Sequence, residues 1–345
     1  MRSSTILPPA ASDAWPFHPG EREAQQRAGV RSAGGGIRHA MPEQHRAFFH
    51  ALPFVIVAGI DGVGGAGGVG EAAGVGGVGG AAGVGGVDGV GGVGGAGGVG
   101  RAGGVGGAAG FGAADAGWPV AAVWAGRPGF VSSPDPRTLR VASALDPGDP
   151  ASRAFVPGAP FGLLGIELHT RRRNRANGMV AAAGADGLVL DVHQSFGNCP
   201  QYIHPRNVAL AAGPVTARPF TGLDAEAAAA IAAADTFFVA TAARTAEPTG
   251  GVDISHRGGP AGFVRVAGNT LTIPDYPGNR YFNTLGNLVS NPRAALLFID
   301  FASGARHVVQ GTAEIQWSGP NVDALAGAER LWQVHVARGW RLGSR

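Results

Sequence analysis

The sequence predicts a mainly β (α+β) chain: two tandem copies of one small-barrel unit, joined by a short helix and interrupted by a glycine tract. Three observations lead there. The chain after residue 112 contains itself twice, since Gly129-Phe-Val recurs at Gly262, Leu163 of GLLGIEL pairs with Leu296 of ALLFIDF, and Gly178 pairs with Gly311, each at an offset of 133. Each copy is a series of short apolar or alternating runs bounded by turn residues, in the second copy TFFVATAAR, GGPAGFVRV, NTLTIP, AALLFIDF and RHVVQGTAEIQW. About six such runs per copy suit a small barrel better than an evenly spaced sandwich. Helical patterning is confined to DAEAAAAIAAA, from Asp224 to Ala234 between the copies, and YFNTLGNLVSN, from Tyr281 to the helix-ending Pro292.

Taken in order, residues 1–42 form a tail expected to be disordered, with no apolar run that reads as a secretory signal. Residues 43–215 make the first unit, 216–318 the second, and 319–345 a C-terminal extension. Inside the first unit, Gly62 to Gly112 holds 28 of the 61 glycines. FVIVAG from Phe54 resembles FFVATA from Phe237, but Val57 and Val239 are offset by 182, and the excess of 49 over the repeat offset is nearly the tract's length. The tract is therefore an insertion at a hairpin tip between the first two strands. Gly62, Gly64 and Gly67 satisfy a dinucleotide-binding G-x-G-x-x-G, yet no helical pattern follows to present its amides to a pyrophosphate. Ordering the tract would cost about 50 to 100 kcal/mol of backbone entropy, against at most about 15 to 30 from burying its ten valines, so disorder is expected.

Every basic residue is Arg and the formal net charge is only +3, too thin an excess to argue for nucleic acid. The single cysteine, Cys199, excludes a disulfide framework and fits a reducing compartment. No charge-free apolar stretch reaches about 18 residues. A soluble, cytoplasmic protein without nucleic-acid or membrane partners is expected. Cys199 reads as a packed thiol, because neither His193 nor His204 has the spacing or an orienting third group that would activate it. The histidines show no metal-ligand spacing.

The second copy resembles the pyridoxamine 5'-phosphate oxidase-related, FMN-binding split-barrel proteins, through SHRGGPAGFVRV from Ser255, PDYPGNRYFNTLGNLVSNPRAALLFIDF from Pro274 and VVQGTAEI from Val308. GLLGIELHTRRRNRANG from Gly162 and QSFGNCPQYIHPR from Gln194 resemble the subgroup that carries two such units in tandem. The resemblance implies FMN as cofactor. An FMN site needs cations or amide donors for a phosphate near two negative charges, and donors toward the flavin edge. Arg257 and Arg280 suit the phosphate or the pyrimidine edge, with surface ion pairs as the competing reading. Asn279, Asn283, Thr284 and Asn287 begin the second helical pattern, where they would either meet the phosphate or merely cap the helix. Ser255 and His256 are candidate flavin-edge contacts, and His256 is the candidate catalytic residue or else a satisfied histidine. The resemblance alone directs Gln310 toward the cofactor.

The first copy departs from this pattern, with VWAGR from Val123 where the second has SHRGG, and PGDPASRAF from Pro147 where it has PGNRYFNTLGN. One FMN per chain is expected, with both walls supplied by the tandem copies and the loop from Gln194 facing the flavin. Relatives place FMN between two subunits, which leaves a homodimer open. Arg171, Arg172, Arg173 and Arg175 read as a solvated hairpin tip or as an anchor for an anion. These readings lead to an oxidoreductase moving hydride or electrons between a reduced cofactor, NAD(P)H being the candidate, and a small acceptor. A non-enzymatic flavin- or haem-binding storage or sensor protein is the alternative.

Overall fold

The computed structural model describes residues 16–61, 117–142, 145–197, 199–208, 213–243 and 251–344. The glycine tract lies outside them. Two antiparallel sheets follow each other along the chain. The first contains β1 (Phe54–Ile60), β2 (Pro119–Ala125), β3 (Val131–Asp135), β4 (Thr138–Val141), β5 (Pro160–Glu167), β6 (Arg172–Gly184) and β7 (Gly187–Gly197), in the order β2-β1-β5-β6-β7-β4-β3. The second contains β9 (Thr236–Ala242), β10 (Val252–Gly258), β11 (Arg265–Ala267), β12 (Thr270–Asp275), β13 (Arg293–Ile299), β14 (Arg306–Gln316) and β15 (Arg330–Ser344). Its order, β10-β9-β13-β14-β15-β12-β11, is the same path strand for strand, and β8 (Val215–Thr221) adds to β15. The chain is thus two tandem split-barrel units.

The repeated glycines have a shared cause. Gly178 and Gly311 each follow a register break in β6 and β14, where a Cβ would sit 1.9 Å from the Asp191 carbonyl oxygen and 2.4 Å from that of His335. Only glycine allows the partner backbone so near a bulge.

Alternation along four strands builds three cores. In β1, Val55 and Val57 enter the first barrel, while Phe54, Ile56, Ala58 and Ile60 face outward. In β9, Phe237 and Val239 enter the second barrel, while Phe238, Ala240 and Ala242 face outward. The outward faces of β1, β5, β9 and β13 meet in a shared core between the sheets. Strands buried on both faces read as continuous apolar runs, as FVIVAGI and ALLFI do.

β1 pairs with β2 from Phe54↔Ala125 to Ile60↔Pro119, so the glycine tract connects two adjacent antiparallel strands. Helix α3 (Ala225–Ala233) joins the units and is capped by Asp224, whose carboxylate accepts from the Ala227 amide. The ends of the chain correct two expectations. Of the tail expected to be disordered, residues 1–15 lie outside the described residues, and the rest carries α1 (Pro19–Arg27), which packs on α4 (Asn283–Ser290); α2 (Glu43–Ala51) opens the first unit. The segment 319–345 holds β15, which pairs with β8, β12 and β14 and is integral to the second sheet. No helix among the described residues is long and apolar enough to cross a membrane.

Candidate functional site

A cleft with about 890 Å³ of free space, its open mouth included, lies where β6 and the segment after β7 face β10, β12 and α4. It brings together Ser255, His256, Arg257, Asn279, Arg280, Asn283 and Thr284. Asn287 and Gln310 lie elsewhere. Asn287 is buried behind the cleft, donating to Thr241 Oγ1 at 3.1 Å and to Asp253 Oδ2 at 3.3 Å. Gln310 ties the two sheets together, donating to the Pro119 carbonyl at 2.7 Å and accepting from Arg338 Nε at 2.7 Å.

Strand alternation divides the arginine run. Arg172 points out and pairs with Glu167 at 2.7 Å, whereas Arg173 and Arg175, two residues apart, turn inward and line the cleft. Arg173 donates to the Cys199 carbonyl at 3.0 Å and to His256 Nδ1 at 2.8 Å; Arg175 donates to Asn283 Oδ1 at 3.3 Å. Burial lowers both guanidinium pKa values, Arg173 to about 9 and Arg175 to about 10, and their neighbouring arginines contribute. A period of two in RRRNR is the signal for the inward pair, and of the two readings of the run, a solvated tip and an anion anchor, the solvated tip does not hold for Arg173 and Arg175. Cys199 is exposed on the cleft, not packed, and uses its carbonyl there.

In the second unit, Ser255, His256 and Arg257 are consecutive on β10. Arg257 pairs with Asp275 at the end of β12, and Arg330 takes the other oxygen of that carboxylate at 2.6 Å. The loop after β12 then turns through two left-handed residues, Arg280 (φ 60°) and Phe282 (φ 62°), to start α4. No side chain caps α4, and Asn283, Thr284 and Leu285 of its first turn line the cleft. The free first-turn amides of a helix carry a partial positive charge. Thr284 Oγ1 donates to Ser255 Oγ at 3.0 Å, which ties helix to strand.

Five arginines line the cleft against two carboxylates, Asp275 and Glu329. Both carboxylates are already paired with arginine. Arg173 Nε, Arg175 Nε, Arg257 Nε and His256 Nε2 are buried without a hydrogen-bond partner. Four orphaned nitrogens in one cleft, next to an uncapped helix start, call for an acceptor-rich anion. At the mouth, Tyr202 and Tyr276 stack with ring centroids 5.4 Å apart and an interplanar angle of 26°. No group of histidine, cysteine and acidic residues among the described residues could hold a metal ion.

The N-terminal helix supports this site from behind. Gly20 and Gly286 let α1 and α4 touch: a Cβ on Gly286 would lie 2.5 Å from Glu21 Cα. Glu21 accepts from Asn283 Nδ2, and His18 Nε2 meets Asn287 Oδ1 at 2.8 Å. Burial, with Asp253 nearby, pushes the Glu21 carboxyl well above the usual carboxylate range, while burial lowers His18. Sequence reading missed these contacts because the tail shows no long periodicity. Its readable signal was Pro19 and Glu21 following His18, which forms a capping box.

Residues 223–342 match the family model for pyridoxamine 5'-phosphate oxidase. No curated protein matches. Among solved structures, HupZ of Group A Streptococcus is 20% identical over 33% of this chain and 89% of its own, with a TM-score of 0.27. A putative pyridoxamine 5'-phosphate oxidase from Lactobacillus delbrueckii is 17% identical over 34% of this chain and 93% of its own, with a TM-score of 0.27. A Clostridium acetobutylicum protein related to general stress protein 26 is 14% identical over 33% and 84%, with a TM-score of 0.23.

Proposed function

Residues 223–342 belong to the pyridoxamine 5'-phosphate oxidase-related split-barrel family, and from that premise we propose that the cleft holds FMN and that the protein is an FMN-dependent oxidoreductase. The observation that carries the reading is the set of buried, unpartnered nitrogens on Arg173, Arg175, Arg257 and His256 beside the uncapped start of α4. A phosphate monoester brings close to two negative charges and three acceptor oxygens, which matches a site rich in donors. Arg173, Arg175 and the first-turn amides of α4 would hold the phosphate, with Ser255 and Thr284 beside it. Tyr202, Tyr276 and Phe263, which also line the cleft, are the surfaces suited to a planar ring system.

FMN, when bound, supplies the hydride and electron chemistry, so the protein has to bind, orient and tune. The buried arginines raise the local positive potential, which favours anionic forms of a bound group. Asp275 keeps Arg257 in place while leaving its Nε free. With each cleft carboxylate paired to arginine, neither Asp275 nor Glu329 is an evident general base. Reduced nicotinamide is the proposed hydride source and a small molecule the acceptor.

Purified full-length protein should show a flavin absorbance spectrum, or gain one on titration with FMN, and should bind riboflavin, which lacks the phosphate, far more weakly. Bleaching of the bound flavin by NAD(P)H, with recovery on adding an acceptor, would support the enzyme. A stable flavin that never turns over would overturn the oxidoreductase assignment. Failure to bind FMN would overturn the cofactor assignment.

A further inference from the structure

His256 occupies an unusual electrostatic position. Arg173 Nη1 lies 2.8 Å from its Nδ1. A guanidinium has donors and no acceptor, so Nδ1 must be the unprotonated, accepting nitrogen of the imidazole. The proton then resides on Nε2, which is buried without a partner in a residue that is only 5% exposed and lines the cleft. The ring is held from the side by Phe238 in an edge-to-face contact, with centroids 5.6 Å apart. We propose that His256 is a specificity-determining hydrogen-bond donor, its tautomer set by Arg173, which gives its Nε2–H to an acceptor atom of the bound ligand and does not shuttle protons.

The surroundings agree with this assignment. Burial acts first to hold the imidazole well below its ordinary value. Arg173 and Arg175 on β6, Arg257 on its own strand and His204 after β7 act in the same direction. His204 is itself engaged with the Gly259 carbonyl at 2.8 Å. The nearby carboxylates do not compensate, since Asp275 is shared by Arg257 and Arg330, and Asp253 is held by Asn177 and Asn287. Protonating Nδ1 would place a cation against a guanidinium and break their hydrogen bond. A neutral donor also explains how a site crowded with arginine can add one more contact without one more charge.

The proposal deepens the FMN reading and rests on it for the identity of the ligand, but its first test needs only the free protein. Nitrogen-15 NMR of histidine-labelled full-length protein should show His256 as the neutral Nε2–H tautomer, with no titration between about pH 5 and 8. In Arg173→Met, which removes the donor to Nδ1, the fixed preference for the Nε2–H tautomer should be lost. FMN titrations then separate donor from bulk. His256→Gln, whose amide nitrogen reaches toward the Nε2 position, should keep affinity within about threefold, whereas His256→Ala and His256→Asn should lose about tenfold, the scale of one hydrogen bond left unmade. An Nδ1–H tautomer, a wild-type midpoint inside the range, or equal losses for Gln and Ala would overturn the assignment. If wild-type protein binds no FMN, the cofactor reading fails instead, while the tautomer result still decides the role of Arg173.

Discussion

The two units share a strand order but not a site. In the paired sheets Ser255, His256 and Arg257 correspond to Ala122, Val123 and Trp124, one residue earlier than the pairing of SHRGG with VWAGR, and Asn283 at the start of α4 corresponds to Pro150, the first residue of a 3₁₀ turn. Trp124 folds into the first barrel's core against Phe155, with centroids 4.6 Å apart. On β14 the counterparts of Arg173 and Arg175 are Arg306 and Val308, and Arg306 is half-buried near Asp149. The matching space, lined by Val120, Ala121, Ala151, Val308 and Leu342 among others, has only about 210 Å³ free against about 890 Å³ for the cleft. The first unit lacks the polar floor of a site but supplies the two arginines that reach across, and the second supplies the floor but has an arginine at only one of the two equivalent positions. One complete cleft results, and neither unit contains it alone.

The largest expected effect comes from removing the first unit's contribution. Arg173→Ala with Arg175→Ala leaves every second-unit residue of the cleft in place, yet should lower FMN affinity by about a hundredfold or more, at about 1.5 to 3 kcal/mol for each charge-assisted hydrogen bond. Arg280→Ala, on the exposed rim, should cost only about two- to fivefold. Fluorescence-quenching titrations measure both. Undiminished affinity in the double variant would mean the second unit suffices, and the comparison drawn between the units would fail.

Most of the fold could be read from residues because its signals are local or periodic. The apolar runs, the offset of 133 and the Asp224 cap each state one fact that packing then uses. The residues of β10 and α4 that line the cleft are legible in the sequence because they form two contiguous segments. What could not be read depends on which face of the paired sheets a residue joins. Gln310 is the counterpart of Asn177 at the repeat offset, so it belongs to the closed side and spans to Pro119, as Asn177 spans to Asp253 on the open side. Arg173 and Arg175 are read from sequence only within a run that is either a solvated tip or an anion anchor, because a charge run has no apolar period to mark its inward face. The α1 contacts rest on two glycines far apart in sequence, Gly20 and Gly286, whose significance exists only once the helices meet.

That helix contact gives the next effect. A methyl group at position 286 would meet Glu21 Cα at 2.5 Å and its amide nitrogen at 2.7 Å, backbone atoms that cannot rotate away. Gly286→Ala should therefore displace α1 and lower stability by about 1 to 3 kcal/mol, the range for overpacking a close contact. Thermal unfolding would report the loss, and limited proteolysis would report cleavage within residues 16–38. FMN affinity should fall less than in the arginine double variant, because Asn283 loses its Glu21 partner but keeps Arg175. A stability unchanged from wild type would show that α1 does not hold α4 in place, and the second unit would then own its floor without help from the N-terminal segment.

The smallest effect should come from the most conspicuous part of the sequence. β1 and β2 pair through to Ile60↔Pro119, and the Asp61 amide donates to the Trp118 carbonyl at 2.9 Å, so the strand ends are already together where the glycine-rich connection leaves them. Their counterparts β9 and β10 are joined by a far shorter connection, from Ala242 to Val252. Deleting Gly62 to Gly112 would make the first unit match the second in this respect. By loop-closure entropy alone, three halvings of loop length stabilise the pairing by about 1.8 kcal/mol, a few degrees at most for a chain of this size. FMN affinity should not change, because the cleft draws on β6, the segment after β7 and the second unit, and on neither β1 nor β2. Loss of soluble protein, or a fall in affinity beyond about threefold, would show that the insertion takes part in folding or binding, and the two units would then differ by a working element as well as by a lost site.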